Sequence, residues 1–140
     1  MSDKRPKVSV DILITREDQV LLGLLTKKWN YEEKQVYGVP GREIRFGEKI
    51  EETIKRNINE EIGCKLVSYK IICVNANYAY GNHYIGIGVK AEIEGEPKNL
   101  LPEDWEKWEW IDKDKLPENL FPATRNLINC FLGNKFNVSE

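Results

Sequence analysis

The sequence predicts an α+β fold: a mixed, largely antiparallel sheet between helices. Three observations lead there. Two pairs of β-branched and aromatic runs are each joined by a short polar or glycine-rich turn, which reads as two hairpins. Ile50, Ile54, Ile58 and Ile62 recur every fourth position, the stripe of an amphipathic helix, and a second apolar-periodic segment follows Pro122. The resulting order β-β-β-α-β-β-β-α leaves few crossovers, so the strands pair mainly with antiparallel neighbours. No repeat or linker interrupts the 140 residues, which are read as a single domain over residues 1–140.

Residues 8–15 read as the first strand, Arg16-Glu17-Asp18-Gln19 as a turn, and residues 20–26 as the antiparallel partner. Residues 27–34 are charged and aromatic without a period, a surface loop of the kind that lines sites. A short strand at 35–39 follows and is ended by Pro40-Gly41. The helix covers residues 48–62, with Gly63 as its C-terminal cap. Residues 66–80 and 84–93 form a long second hairpin around Gly81-Asn82-His83, and a Trp-rich strand at 107–111 comes after a loop bounded by Pro102. The last helix has Pro122 in its first turn, runs through Leu127, Ile128 and Phe131, and stops at Gly133.

Composition narrows the function. Twenty-one Lys and Arg against 23 Asp and Glu give a formal charge of −2, which supplies no general basic field for duplex nucleic acid. The start carries charges but no apolar run with a cleavage site, so a secretory signal is not expected and the cytoplasm is. The longest uncharged stretch, 71–89, holds three asparagines, a histidine and three glycines and is too polar to span a membrane. Cys64, Cys73 and Cys130 are an odd set without a C-x-x-C pair, which suits buried reduced thiols. Asn137-Val138-Ser139 fits a glycosylation pattern without secretory context and reads as a chance match in a frayed tail.

The informative segment runs from Pro40-Gly41 to Gly63. On a helix, Asn57, Glu60 and Glu61 share one edge beside the isoleucine stripe, so adjacent carboxylates can converge on one cation. Beside a glycine-bearing loop with free carbonyls they suit a hard ion such as Mg²⁺, which takes oxygen ligands and would hold a diphosphate. The same glutamates would also serve simply to solvate the outer face of a Lys/Glu-rich helix. Other nucleotide signatures fail: Gly81 and Gly86 have P-loop spacing, but Ile87 and Gly88 stand where Lys and Ser or Thr are required.

The joint pattern of glycine, Glu48, Arg56, acidic pair and closing glycine resembles the Nudix box, G-x5-E-x7-R-E-U-x-E-E-x-G-U, where U is a bulky aliphatic residue. Glu48, Arg56, Ile58, Glu60, Glu61 and Gly63 match, six of nine fixed positions, and Pro40-Gly41 matches the pair that usually precedes the box. The resemblance implies the Nudix α/β/α sandwich and Mg²⁺- or Mn²⁺-dependent cleavage of nucleoside diphosphates linked to a further group. It makes Gly41, through its carbonyl, Glu60 and Glu61 the metal ligands, and pairs Glu48 with Arg56 to hold the loop on the helix.

Three positions depart. Arg42 replaces the opening glycine, where it either restricts the loop or reaches a substrate phosphate; Asn57 replaces the first helix glutamate; Cys64 replaces the last aliphatic residue. Asn cannot accept a proton at neutral pH, and the glutamate it replaces is a general base or metal ligand in some family members. The base then lies in the loop Pro102-Glu103-Asp104-Trp105-Glu106, with Glu103 or Glu106 expected beside Glu61; or the metal-bound water needs little help; or the chain binds nucleotides without turning them over.

Downstream, Glu96-Pro97, Pro102-Glu103, Glu106-Lys107-Trp108-Glu109-Trp110 and Leu120-Phe121 look like the MutT-like nucleoside triphosphate diphosphatases, often homodimers that release monophosphate and pyrophosphate. Phe121 would then line the base pocket or else open the last helix as a core residue. A second relative by resemblance is GDP-mannose mannosyl hydrolase, which also lacks the first helix glutamate and carries a pair like His83-Tyr84. Its loop base is a histidine, whereas His83 is the single histidine here and sits at the hairpin tip, so it is expected at most to touch substrate. Trp29, Tyr31, Tyr78, Tyr80 and Trp105 are further stacking partners for a base or, as aromatics on strands, core residues.

Overall fold

The computed structural model describes residues 4–134 and 136–139. Among these, the order is β1 (Lys7–Arg16), β2 (Gln19–Leu25), β3 (Tyr37–Gly38), α1 (Ile50–Ile62), β4 (Lys65–Ala79), β5 (Asn82–Glu94), β6 (Trp105–Asp112), α2 (Pro122–Gly133) and β7 (Asn137–Ser139). The strands form one sheet in the order β3-β2-β1-β5-β4-β7, with β6 paired to β2. Only β1/β5 and β4/β7 run parallel, so the sheet is mixed and largely antiparallel, and the fold is the expected α+β.

Strand alternation divides the core into two layers. Val10, Ile12 and Ile14 of β1 pack with Ile54, Ile58 and Ile62 of α1, while Leu13 faces the other way and packs with Leu127 and Ile128 of α2. Each such fully buried side chain contributes roughly 1.5–3 kcal/mol. The helices therefore lie on opposite faces of the sheet.

What positions the site is a split in the first hairpin. β1 and β2 pair only at Thr15↔Val20 and Arg16↔Gln19; beyond that β2 pairs with β3, while β5 and β6 hold the opposite edges of β1 and β2. The abandoned edge of β1 must still satisfy its backbone groups. The loop after Pro40 does so: Ile12 N–H donates to Pro40 O at 2.9 Å, Val10 N–H to Arg42 O at 3.1 Å, and Ile44 N–H to Val8 O at 2.9 Å. The loop thus enters the middle of the molecule as a short extra strand.

Four sequence expectations are corrected. The strand expected at 35–39 shortens to Tyr37–Gly38, because Tyr37 N–H turns away to Asn119 O at 2.8 Å. The helix starts at Ile50 rather than Glu48, since the side chain of Glu52 accepts from Lys49 N–H at 3.0 Å in a capping box. The second hairpin turns at Tyr80-Gly81, both with positive φ as a tight type I′ turn requires, so Asn82 and His83 already belong to β5. The segment read as a frayed tail is β7, which pairs in parallel with Cys73–Asn75. Cys64, Cys73 and Cys130 are buried and free, and burial pushes the Cys73 thiol up to about 12.

Candidate active site

The loop at 40–48 meets the last turn of α1, which Gly63 ends in a left-handed cap at φ 67°. Glu61 in that turn is 1% exposed. Its Oε2 accepts Gly41 N–H at 2.8 Å, and its Oε1 accepts the indole Nε1–H of Trp105 at 3.3 Å. Burial raises the carboxyl's pKa, and the hydrogen bond from Gly41, the charge of Arg42 and the bond from Trp105 only partly offset that.

Arg42 crosses the same space. Its Nε lies 3.7 Å from Glu61 Oε1 and its Nη2 donates to Asp104 Oδ2 at 2.9 Å. Asp104 is nearly buried and accepts also from Trp29 Nε1 at 2.8 Å and Lys28 Nζ at 3.3 Å. Burial raises the Asp104 carboxyl, but these three donors outweigh it and hold the pKa below the usual range. Arg42 therefore ties the glycine loop to the loop before β6.

Glu48 anchors the other end of the loop. Arg56 donates from Nε to Oε2 at 2.7 Å and from Nη2 to Oε1 at 3.0 Å, a two-pronged fork, and Arg45 N–H and Thr53 Oγ1 each reach Oε1 at 2.9 Å. The Arg56 fork first, then Arg45 N–H, lower the carboxyl from its ordinary 4.5 to about 2. A lowered pKa in the folded state stabilises above the unfolded value, and that contribution is lost as pH falls from about 4.5 toward 2. Glu48→Gln should accordingly flatten the acid limb of a melting-temperature profile over that window; superimposable limbs would contradict the assignment.

These groups open into a cavity of about 700 Å³. Gly41, Arg42, Glu61, Asp104 and Trp105 line it together with an aromatic group, Trp29, Tyr80 and Phe121, which joins the charged one where Trp29 bonds Asp104. The aromatic rings hold one another: Trp29 and Tyr80 meet edge to face at 5.3 Å, and Tyr80 lies nearly parallel to Phe121 at 5.9 Å. The sheet contributes Ser9, Asp11, Asn77 and Tyr84 to the lining. Burial alone raises Asp11 to about 6.

Of the residues expected from the sequence, Gly41, Arg42, Glu61 and Phe121 line this one cavity. Glu60 lies on the exposed helix surface with its carboxylate 3.5 Å from Arg56 Nη1. His83 stacks on Tyr78 at 4.5 Å across the hairpin and does not line the cavity. The loop expected to supply Glu103 or Glu106 does reach the cavity, but through Asp104. Asp104 N–H and Trp105 N–H both turn back to Leu101 O at 3.0 Å, which leaves Glu103 in solvent, and Glu106 follows buried Trp105 onto the opposite, exposed side of β6. Asn57 is fully buried, donates from Nδ2 to Thr53 O at 2.7 Å, and leaves its Oδ1 without a partner. Sequence reasoning missed Asp104 and Asp11: the former is turned inward by the backbone turn to Leu101, and no local signal marked the latter.

The donor types suit a hard divalent ion. Glu61 is a desolvated carboxylate, and by chemical type the Glu60 carboxylate and the Gly41 carbonyl are hard oxygen donors too, although Glu60 stands outside the cavity against Arg56. As the side chains stand, arginines hold those charges, and among the described residues no three His, Cys, Asp or Glu side chains converge on one point.

A three-layer fold with this loop, helix and acidic edge defines a class. The NUDIX domain model matches residues 5–130, and the chain belongs to the Nudix family, hydrolases that act on the pyrophosphate bonds of nucleoside diphosphate derivatives. The chain is similar to the MutT Nudix hydrolase of Burkholderia pseudomallei, at 30% identity and a TM-score of 0.80 over 89% of this chain and 97% of that one. The MutT protein of Methanosarcina mazei Go1 shares the fold at 20% identity and a TM-score of 0.77, covering 96% and 99% of the two chains. The NAD-capped RNA hydrolase NudC of Pseudomonas aeruginosa (strain LESB58) is 27% identical over 94% of this chain and 46% of its own length. The chain thus spans about half the length of the curated relatives it matches. No helix of the described residues is long and apolar enough to cross a membrane.

Proposed function

We propose that this chain is one Nudix domain over residues 1–140 that hydrolyses a nucleoside di- or triphosphate derivative, foremost a nucleoside triphosphate to monophosphate and pyrophosphate. The observation that carries the reading is one cavity lined both by charged groups, Glu61, Arg42 and Asp104, and by the aromatic rings of Trp29, Tyr80 and Phe121. Charged groups suit phosphates, and aromatic faces suit a base. Gly41, Glu60 and Glu61 would hold Mg²⁺ or Mn²⁺, which when bound polarises phosphoryl oxygens and acidifies water.

The chain's own residues do the rest. Glu61 is held in place by Gly41 and Trp105 and is the acidic group placed to take a proton from the attacking water. Arg42 spends one N–H on Asp104 and has further donors for phosphate oxygens. Asp104 orients that guanidinium from the loop that also carries Glu103 and Glu106. Phe121 belongs to the aromatic group, and His83 acts at most through Tyr78, on which it stacks. The cytoplasm, expected from the sequence, and a homodimer, carried over from the family resemblance, complete the reading.

Asn57 separates an active enzyme from a pure nucleotide binder. Its side chain bonds within α1 and does not line the cavity, so the chemistry does not run through it. Asn57→Glu should leave turnover of a nucleoside triphosphate within about threefold while costing roughly 2–4 kcal/mol of stability, because it buries an unpaired carboxylate. A large gain in turnover in an initial-rate assay would mean that the natural chain lacks its base, and the binder reading would replace this one.

A further inference from the structure

One carboxyl in the cavity wall has no partner. Asp11 sits on β1 opposite Gly88 of β5, and the alternation that sends Leu13 toward α2 sends Asp11 the same way, onto the face bordered by Ser9, Asn77 and Thr124. Room for it is cleared by glycine: a Cβ at Gly86 would overlap Asp11 Oδ2. Among the described residues no donor or cation reaches this carboxyl, although every other carboxylate lining the cavity except Glu43 at its rim is hydrogen-bonded through its side chain. Asp11 is half-buried, so its carboxyl is met by whatever fills the cavity, water or the donors of a ligand.

The occupant is constrained by charge. Asp11 lies one strand from Gly41, whose backbone rests against Val10 and Asp11. With phosphates held at Gly41 and Arg42 as the proposed reading has them, a further carboxylate beside them repels phosphate, so what meets Asp11 is an uncharged part of the substrate carrying donors. A carboxylate's two oxygens match two neighbouring donors. We infer that Asp11 is a specificity-determining residue that accepts a pair of adjacent donors on the nucleoside part of the substrate, either the N1–H and N2–H edge of a guanine or the 2′,3′-diol of a ribose. The inference rests on the proposed reading of the cavity as a nucleotide site.

Isothermal titration of the wild-type chain and Asp11→Asn with GDP, IDP, 2′,3′-dideoxy-GDP and pyrophosphate, with Ca²⁺ present to hold turnover, tests it. The amide keeps the shape and replaces one acceptor by a donor, so GDP should bind about 10–100-fold more weakly to the variant. Pyrophosphate should bind both proteins alike, which also shows that the variant is folded. If wild-type protein already binds IDP as weakly as the variant binds GDP, the donors are those of guanine; if dideoxy-GDP is the weak ligand, they are those of ribose. GDP affinity within twofold of wild type, or an equal loss for pyrophosphate, overturns the inference. Pyrophosphate binding without any nucleotide preference in the wild type overturns it too while leaving the phosphate site intact, whereas no binding of any of the four removes the nucleotide reading itself.

Discussion

Glu61→Gln should lower turnover by about 10²–10⁴-fold while the chain stays folded. Glu61 is the acidic group at the meeting point of the glycine loop, α1 and β6, and both its oxygens are engaged by donors. An amide can still accept from Gly41 N–H, but its NH₂ then faces the Trp105 indole and Arg42, donor against donor. The charge that draws Arg42 into the cavity is gone as well. The unmatched Trp105 and Arg42 donors should lower the melting temperature modestly without unfolding the chain at assay temperature, so lost activity will not be lost structure. Initial rates and a thermal melt on the same preparation check both halves. Unchanged turnover together with unchanged metal affinity would contradict the role given to Glu61.

Gly41→Ala should have the largest effect on stability, about 3 kcal/mol or more, and should abolish activity with it. Gly41 has φ of +142°, and a Cβ there would overlap the backbone carbonyl of Val10, an atom of a central strand that cannot retreat. Relief would require the loop to lift from β1, which breaks the bonds to Pro40 and Arg42 and the Gly41 N–H to Glu61. Gly47 in the same loop is the control. It also has positive φ, at +85°, but nothing lies within 4 Å of its added Cβ, so Gly47→Ala should cost only about 1–2 kcal/mol of backbone strain. Denaturant unfolding of the two variants side by side reads the difference; equal losses would mean that the loop does not rest on β1 as described.

Much of the fold was legible because it is written in local periods. The isoleucine stripe, Gly63 as a left-handed cap, Pro122 at the start of α2 and the long hairpin all follow from spacing and propensity, and each is in the structure. So is the Glu48–Arg56 fork, whose partners lie eight residues apart across one loop and two helical turns. Less legible was everything decided by distant partners. β1 and β2 read as an ordinary hairpin, yet the pairing ends after two rungs: β2 goes on to pair with β3, and β1 takes the backbone of the glycine loop instead. Glu60 and Glu61 are neighbours in sequence and differ in fate because only one faces the cavity. The loop before β6 was placed correctly, but which of its acids turns inward depends on a backbone turn to Leu101. Asp11 sat unnoticed in a strand pattern, since nothing in ten local residues shows that Gly86 on the neighbouring strand has cleared space for a carboxyl.

The most direct test of the central claim is a product analysis by anion-exchange chromatography. Purified protein would be incubated with separate nucleoside triphosphates and nucleotide sugars, in Mg²⁺ and in Mn²⁺, with Glu61→Gln as the blank. The expected result is nucleoside monophosphate and pyrophosphate in equal amounts, absent with the variant. Free sugar beside intact nucleoside diphosphate, or no product at high protein concentration while nucleotide still binds, would contradict it.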